Sequence, residues 1–159
     1  MTSAGTATTR LREQGFELPA VPAARTGSYE QFRQVGTIIH VAGQLPTIDG
    51  DLLARGLLGA DVDIALGQRL ARIAAVNCLA VGAAAVGSLD RLRLVQMLVF
   101  VASTPDFGDH ATVADGATRL LLDVLGEDGA HARTAIGVAG LPRNSPVEIQ
   151  MICTWSPTP

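Results

Sequence analysis

The chain has 159 residues, 48% of them hydrophobic but only four Phe, one Tyr and one Trp, so it holds a single domain with an aliphatic, alanine-rich core that needs no disulfide or metal. Its formal net charge is -3 and all 12 basic residues are arginine, which excludes Schiff-base lysine, pyridoxal-phosphate lysine and P-loop lysine chemistry. The charged fraction of 17% leaves a surface short of charge, as when a partner subunit covers part of it.

Residues 1–8 read as disordered, and a short helix follows over about residues 9–14, stopping at Gly15. Residues 18–27 form an extended connector interrupted by proline. This divides the chain into an N-terminal extension, 1–27, and a domain over 28–155. Two strands come next, 28–35 and the Ile/Val-rich 37–42, joined tightly at Gly36. Residues 46–61 read as loop, with a turn at Asp49-Gly50. Leu66, Leu70, Ile73, Asn77, Ala80 and Ala84 recur at three- and four-residue spacing and predict a long helix over about 63–86. Asp61 or Asp63 caps it and Gly87 ends it. Its nearly uncharged stretch, 73–86, is too short for a bilayer, which needs about 20 apolar residues.

A strand over 91–102 is apolar on both faces in its second half, from Met97 to Val101, and so needs cover on both sides. Two long helices can cover one face; the other is left for a second subunit. The second helix, about 109–125, carries an apolar stripe of Val113, Ala117, Leu120, Leu121 and Val124 and ends at Gly126. Strands 132–139 and 147–155 follow, read as a hairpin turning near Arg143. The order gives an α+β fold, a mixed sheet with two long helices packed on one face. Cys78 and Cys153 sit in apolar periodic segments and read as small buried hydrophobes in a reducing compartment. His40, His110 and His131 lack metal-ligand spacing, so no metal site is expected. With no signal-peptide pattern in the polar N-terminus, a cytoplasmic protein that avoids membranes is expected.

Two charges stand out near the end. Arg133 heads an apolar strand, and an arginine grips a carboxylate with two parallel hydrogen bonds. Glu148 opens the next strand and could hold and polarise a water. By position alone, each could equally be a solvated strand-end charge. As a hairpin, the two would lie five strand positions apart, roughly 17 Å, and could act together only if they came from different subunits.

The pattern Arg133, Ala139, Leu141, Pro142, Val147, Glu148, Ile149 resembles the signature of the Rid (YjgF-like) reactive-intermediate deaminase family, also labelled endoribonuclease L-PSP-like. Gly27-Ser28-Tyr29, and Val35-Gly36 through Val41-Ala42-Gly43-Gln44-Leu45-Pro46, resemble its opening strands, so the likeness runs from about Tyr29 to Thr154. It implies a chorismate-mutase-like fold assembled as a homotrimer, with sites at the subunit clefts. Arg133 then falls on the carboxylate-binding position, Glu148 on the glutamate that orients the attacking water, and Tyr29 on a tyrosine of the ligand pocket. Ala42 beside Gly43 stands where a serine is usual, Ala135 where a cysteine is often found, and Asp115 near an asparagine; a solvated helix charge is an equally good account of Asp115.

The function so implied is hydrolysis of 2-imino acids (or their enamine tautomers) to 2-keto acids and ammonia, with no metal or organic cofactor. Losing the serine and cysteine favours a bulkier or more apolar substrate side chain. The alternative is a non-catalytic trimer that binds or senses a small carboxylate. An acidic chain without lysine or basic–aromatic clusters speaks against RNA binding and ribonuclease activity. Mutase chemistry rests on fold analogy alone.

Overall fold

The structure, a computed structural model, describes residues 6–21, 25, 26 and 28–156; the expected disorder of residues 1–5 and the connector at 22–24 and 27 lie outside them. Helix α1 (Ala7–Glu13) begins two residues earlier than the sequence pattern suggests, because Thr6 caps it by accepting the Thr9 N–H at 3.2 Å. Tertiary contacts then hold it. Ala7 and Leu11 are buried, the Ala7 N–H donates to Asp90 Oδ1 at 2.6 Å, and Arg10 Nε donates to the Val124 carbonyl at 2.6 Å.

The strand predicted over 28–35 divides in two. β1 (Arg25–Thr26) pairs with β2 (Tyr29–Glu30) in a separate ribbon, whereas β3 (Phe32–Val35) pairs antiparallel with β4 (Ile38–Gln44) in the main sheet. Between them, buried Gln31 accepts the Ala42 N–H at 2.8 Å. The segment read as loop contains a small hairpin, β5 (Thr47–Ile48) and β6 (Asp51–Leu52). Its turn residues, Asp49 at φ 52 and Gly50 at φ 85, have the paired positive φ of the Asp-Gly type I′ turn.

Helix α2 (Ile64–Val86) starts and ends as expected: Asp63 accepts the Leu66 N–H at 2.7 Å, and Gly87 closes the helix at φ 81. Its buried stripe is phased differently. Gly67, Leu70, Ala71, Ala74, Ala75, Cys78 and Leu79 are buried, while Leu66, Ile73 and Asn77 are only partly covered. By length and composition α2 could cross a membrane, but 67% of its most apolar window is buried inside the fold, as in a core helix. After β7 (Leu92–Ala102), helix α3 (His110–Leu125) follows its predicted stripe: Val113, Ala117, Leu120, Leu121 and Val124 are all fully buried. The last strands are β8 (Ala132–Val138) and β9 (Val147–Trp155).

The main sheet runs β3-β4-β9-β7-β8, with β8 parallel to β7 and the other pairs antiparallel. The expected β8–β9 hairpin is therefore corrected: β7 lies between them. Chain 139–146 passes over the end of β7, where the Ala102 N–H donates to the Pro146 carbonyl at 2.9 Å. Arg143 and Asn144, both at φ 60, redirect it. α3 supplies the crossover that two parallel strands require. α2 and α3 cover one face of the sheet, packing on Met97, Val99 and Val101 of β7, Val147, Ile149 and Met151 of β9, and Ile39 and Val41 of β4. The register puts Val35, Ile38, Leu98, Phe100, Ile136 and Ile152 on the opposite face, where all are partly exposed and Val35 reaches 68%.

Candidate functional site

Arg133 pairs in register with Met97, whose side chain is buried beneath the helices, so the arginine points to the helix side of the sheet. There α3 receives it. Arg133 Nη1 donates to Asp115 Oδ1 at 2.7 Å and to Thr118 Oγ1 at 3.0 Å. Both protons of Nη1 are thus engaged, and among the described residues the Nε–H and Nη2 edge has no partner. That edge is the planar fork that grips a carboxylate. Thr118 also meets His131 Nε2 at 3.5 Å, and His131 Nδ1 lies 2.6 Å from the Gly129 carbonyl. Hydrogen bonding thus continues from the guanidinium to backbone. Ala135, two residues along β8, shares the same face.

α3 is held firmly where it makes these contacts. At Gly116 a Cβ would collide with the backbone of Gln68 on α2, and Gln68 Nε2 donates to the Thr112 carbonyl at 2.7 Å. The helix crossing therefore fixes the backbone carrying Asp115 and Thr118. Thr118 carries no signal in the sequence except its spacing of three from Asp115, which puts both on one helix face.

Glu148 pairs with Phe100 and points to the open face. The β4–β9 register shifts between Val41 and Gln44, and Gly43 in that irregularity lies directly beneath the glutamate: a Cβ there would overlap Glu148 Oε1. A glycine at 43 is thus what admits the carboxylate. Burial pushes the Glu148 carboxyl above the ordinary glutamate value. Ala42 adjoins Gly43, and Tyr29, 55% exposed, lies two residues before the Gln31 carbonyl that holds Ala42.

The candidate residues therefore form two groups. Arg133, Ala135 and Asp115 lie on the helix side of the β8 edge; Glu148, Gly43 and Ala42 gather at β4 and β9, with Tyr29 in the separate ribbon that precedes β3. Arg133 and Glu148 are two strands and three register positions apart, about 14 Å between backbones at ~4.8 Å per strand and ~3.3 Å per residue. They face opposite sides of the sheet, so one copy of the chain does not bring them together. A cleft of about 560 Å³ opens elsewhere, among Arg55, Asp61, Ala102, Leu141 and Ser145, and neither Arg133 nor Glu148 lines it.

Of the remaining candidates, His110 has structural partners. His110 meets Ser103 Oγ at 3.1 Å and stacks edge-on against Phe107, and a Cβ at Gly137 would strike its ring. Cys78 and Cys153 are free, buried thiols whose pKa values burial raises, Cys153 to about 12. Among the described residues no three His, Cys, Asp or Glu side chains gather as metal ligands.

Residues 8–154 match the family described as "YjgF/chorismate mutase-like, putative endoribonuclease". The chain is 40% identical over 152 residues to Protein TCP17 of Trypanosoma cruzi, covering 94% of each. It superimposes on the crystal structure of Atu1372 from Agrobacterium tumefaciens, of unknown function, with a TM-score of 0.87 and 41% identity over 95% of this chain and 94% of that one. It also resembles E. coli TdcF with bound serine, with a TM-score of 0.61 and 25% identity over 84% of this chain and 92% of the other.

Proposed function

Because the chain belongs to the YjgF/chorismate mutase-like family and has its mixed α+β fold, we propose that it is an imine deaminase. Its sites would form between copies of a homotrimer, where the Arg133 group of one copy faces the Glu148 group of the next. The observation that carries this reading is the division of the candidate residues between opposite faces of one sheet, with the fork edge of Arg133 unpaired among the described residues. The partly exposed apolar face, Val35 and Ile136 included, is the surface the neighbouring copies would cover. The bound serine of TdcF supports a small-molecule ligand of this size.

In this reading a 2-imino acid lays its carboxylate on the Nε/Nη2 edge of Arg133. Glu148 of the neighbouring copy takes a proton from a water as the water attacks the imine carbon. Protonated Glu148 returns that proton to the nitrogen of the resulting carbinolamine, and as the C–N bond breaks the hydroxyl proton is passed on through Glu148, so that ammonia leaves and a 2-keto acid remains. Desolvation, by raising the Glu148 pKa, makes it a stronger base than a free glutamate. Imines already hydrolyse in water, so placement plus one general base, worth about 10²–10⁴-fold, suffices without metal or organic cofactor. A cytoplasmic setting fits the two free thiols.

A second reading keeps the carboxylate grip without turnover: Ala42 and Ala135 carry neither hydroxyl nor thiol. The test generates 2-imino acids of varied side chain in situ with an amino-acid oxidase and follows imine loss, alongside light scattering for the oligomer. Acceleration by a trimer that disappears in Arg133→Ala supports the deaminase. A folded trimer that accelerates no imine supports the binding protein, and a monomer that accelerates imine loss refutes the shared site.

A further inference from the structure

Ser103 and His110 make a pair that the deaminase reading leaves unused. Ser103 Oγ lies 3.1 Å from His110 Nε2. With Nε2 unprotonated the hydroxyl donates to it, the arrangement of a nucleophile and its general base. Both residues are half-buried and line a cleft of about 380 Å³ with Thr104, Phe107, Gly137 and Ala139. Each is held in place. The Ser103 N–H donates to the Val138 carbonyl at 3.2 Å and the Thr104 N–H to the Leu58 carbonyl at 3.0 Å, which fixes the backbone just past the end of β7. His110 opens α3, and its ring meets Phe107 edge-on with 5.2 Å between centroids.

Gly137 decides whether a ligand can reach them. A Cβ there would strike His110 Nε2 and stand 3.0 Å from Ser103 Oγ, the two atoms between which a proton would pass. The missing side chain therefore leaves space over both atoms at once, at the β8 edge of the sheet. We propose that Ser103 and His110 form a second catalytic site, which hydrolyses small uncharged carboxylic esters through an acyl-serine. It is separate from the Arg133 group, because Gly137 lies four residues farther along β8, roughly 13 Å at ~3.3 Å per residue. Among the described residues no arginine lines the cleft, and Asp106 and Asp109 lie on the loop that carries Phe107, so an anionic acyl group is disfavoured.

Ser103 Oγ attacks the ester carbonyl carbon while its proton passes to His110 Nε2. The tetrahedral adduct collapses, the bond to the alcohol oxygen breaks, and Nε2 gives that proton to the leaving alcohol. Water then attacks the acyl-serine. His110 takes a proton from the water and returns it to Ser103 Oγ as the carboxylic acid departs. No side chain caps the first-turn N–H groups of α3, the turn that His110 begins, so donors for the transient oxyanion are available at that end. His110 Nδ1 has no partner among the described residues, so no carboxylate completes a triad. The acceleration therefore belongs at the low end of general-base help, about 10²-fold.

The experiment gives the full chain p-nitrophenyl acetate and follows release of nitrophenolate, then treats it with a fluorophosphonate and locates the adduct by mass spectrometry. The chain has no lysine, so lysine acylation cannot imitate turnover. Wild type, Ser103→Ala, His110→Gln and Gly137→Ala are compared, each checked by thermal melting. Wild type should hydrolyse the ester about 10²-fold faster than Ser103→Ala and carry the adduct on Ser103. His110→Gln should be slowed by a similar factor. Gly137 is not among the positive-φ glycines, so alanine suits its backbone, and Gly137→Ala should lose the label by filling the space over the pair. Hydrolysis or labelling that persists in Ser103→Ala overturns the nucleophile, and His110→Gln as fast as wild type overturns the base. A folded Gly137→Ala labelled like wild type overturns the approach over Gly137, and a wild type that neither hydrolyses the ester nor takes the label overturns the site. Imine hydrolysis should be the same in Ser103→Ala as in wild type, so this site and the deaminase reading stand or fall separately.

Discussion

Gly43→Ala tests the placement of Glu148 without touching Glu148. The added methyl would overlap Oε1 and lie 2.9 Å from Cδ and 3.3 Å from Cγ of the glutamate, and no other residue is among its nearest contacts. Gly43 is not among the positive-φ glycines, so alanine is acceptable to the backbone there. The clash is with the far end of a flexible side chain, which can rotate away. The cost to stability therefore belongs at the low end of the ~1–3 kcal/mol of overpacking, a fall in Tm of about 2–4 °C for a chain of this size. Activity responds differently, because the carboxylate is displaced from the only position argued for it. With Glu148 as the proposed general base, its displacement predicts a kcat/KM lower by about 10²–10⁴-fold, or ~3–5 kcal/mol at 1.36 kcal/mol per decade. Carboxylate binding should persist, because the anchor in the proposed shared site is Arg133 of the neighbouring copy, which the substitution does not touch. Imine-hydrolysis kinetics, ligand titration and thermal melting on one preparation separate these effects. Near wild-type turnover in a variant that melts normally would refute the placement of the base; a collapse in Tm beyond about 10 °C would mean that Gly43 is held by more than the glutamate.

Two further predictions follow from burial. The raised pKa of Glu148 means that ionising it costs stability in the folded state, a cost absent below the ordinary glutamate value near 4.3 and fully present once pH passes the raised folded value. Glu148→Gln should therefore melt above wild type near pH 7 and match it below about pH 4; an advantage that persists in acid would assign the effect to packing instead. Both thiols, with Cys153 pushed up to about 12 and Cys78 well above its usual value, should be silent toward a thiol-exchange dye in the native protein near pH 8. Denaturant should release both cysteines, and fast labelling of the folded chain would contradict their burial.

What the sequence discloses depends on contrast. α3 is legible to the residue because its apolar stripe alternates with His110, Asp115, Arg119 and Asp123. α2 is apolar on almost every side, so its limits are legible from Asp63 and Gly87 but its phase is not: Ile73 and Asn77 score like core positions yet are only partly covered. Strand pairing is harder still. The Leu-Pro-Arg-Asn-Ser-Pro segment has the composition of a hairpin turn, and nothing local reveals that Arg143 and Asn144 carry the chain across β7 instead. At the candidate site, Arg133 and Glu148 stood out as lone charges at the heads of apolar strands. The Asp115–Arg133 pair joins a helix to a strand across a turn, and only the packing of α3 on β8 makes it visible.

The place of β9 has a consequence for how the molecule comes into being. It follows β3, β4, β7 and β8 in the chain yet lies at the centre of their sheet, between β4 and β7. A ribosome delivers both halves of the sheet before the strand that joins them. Until β9 emerges, β4 and β7 each present an open edge of backbone donors and acceptors, the kind of edge that recruits strands from other chains. The unit from β7 through α3 to β8 can meanwhile form locally, with Arg133 and Asp115 already paired, whereas Glu148 arrives on the closing strand. During synthesis this protein would thus pair Arg133 with Asp115 before Glu148 is made, and would be most prone to aggregation in the interval between them.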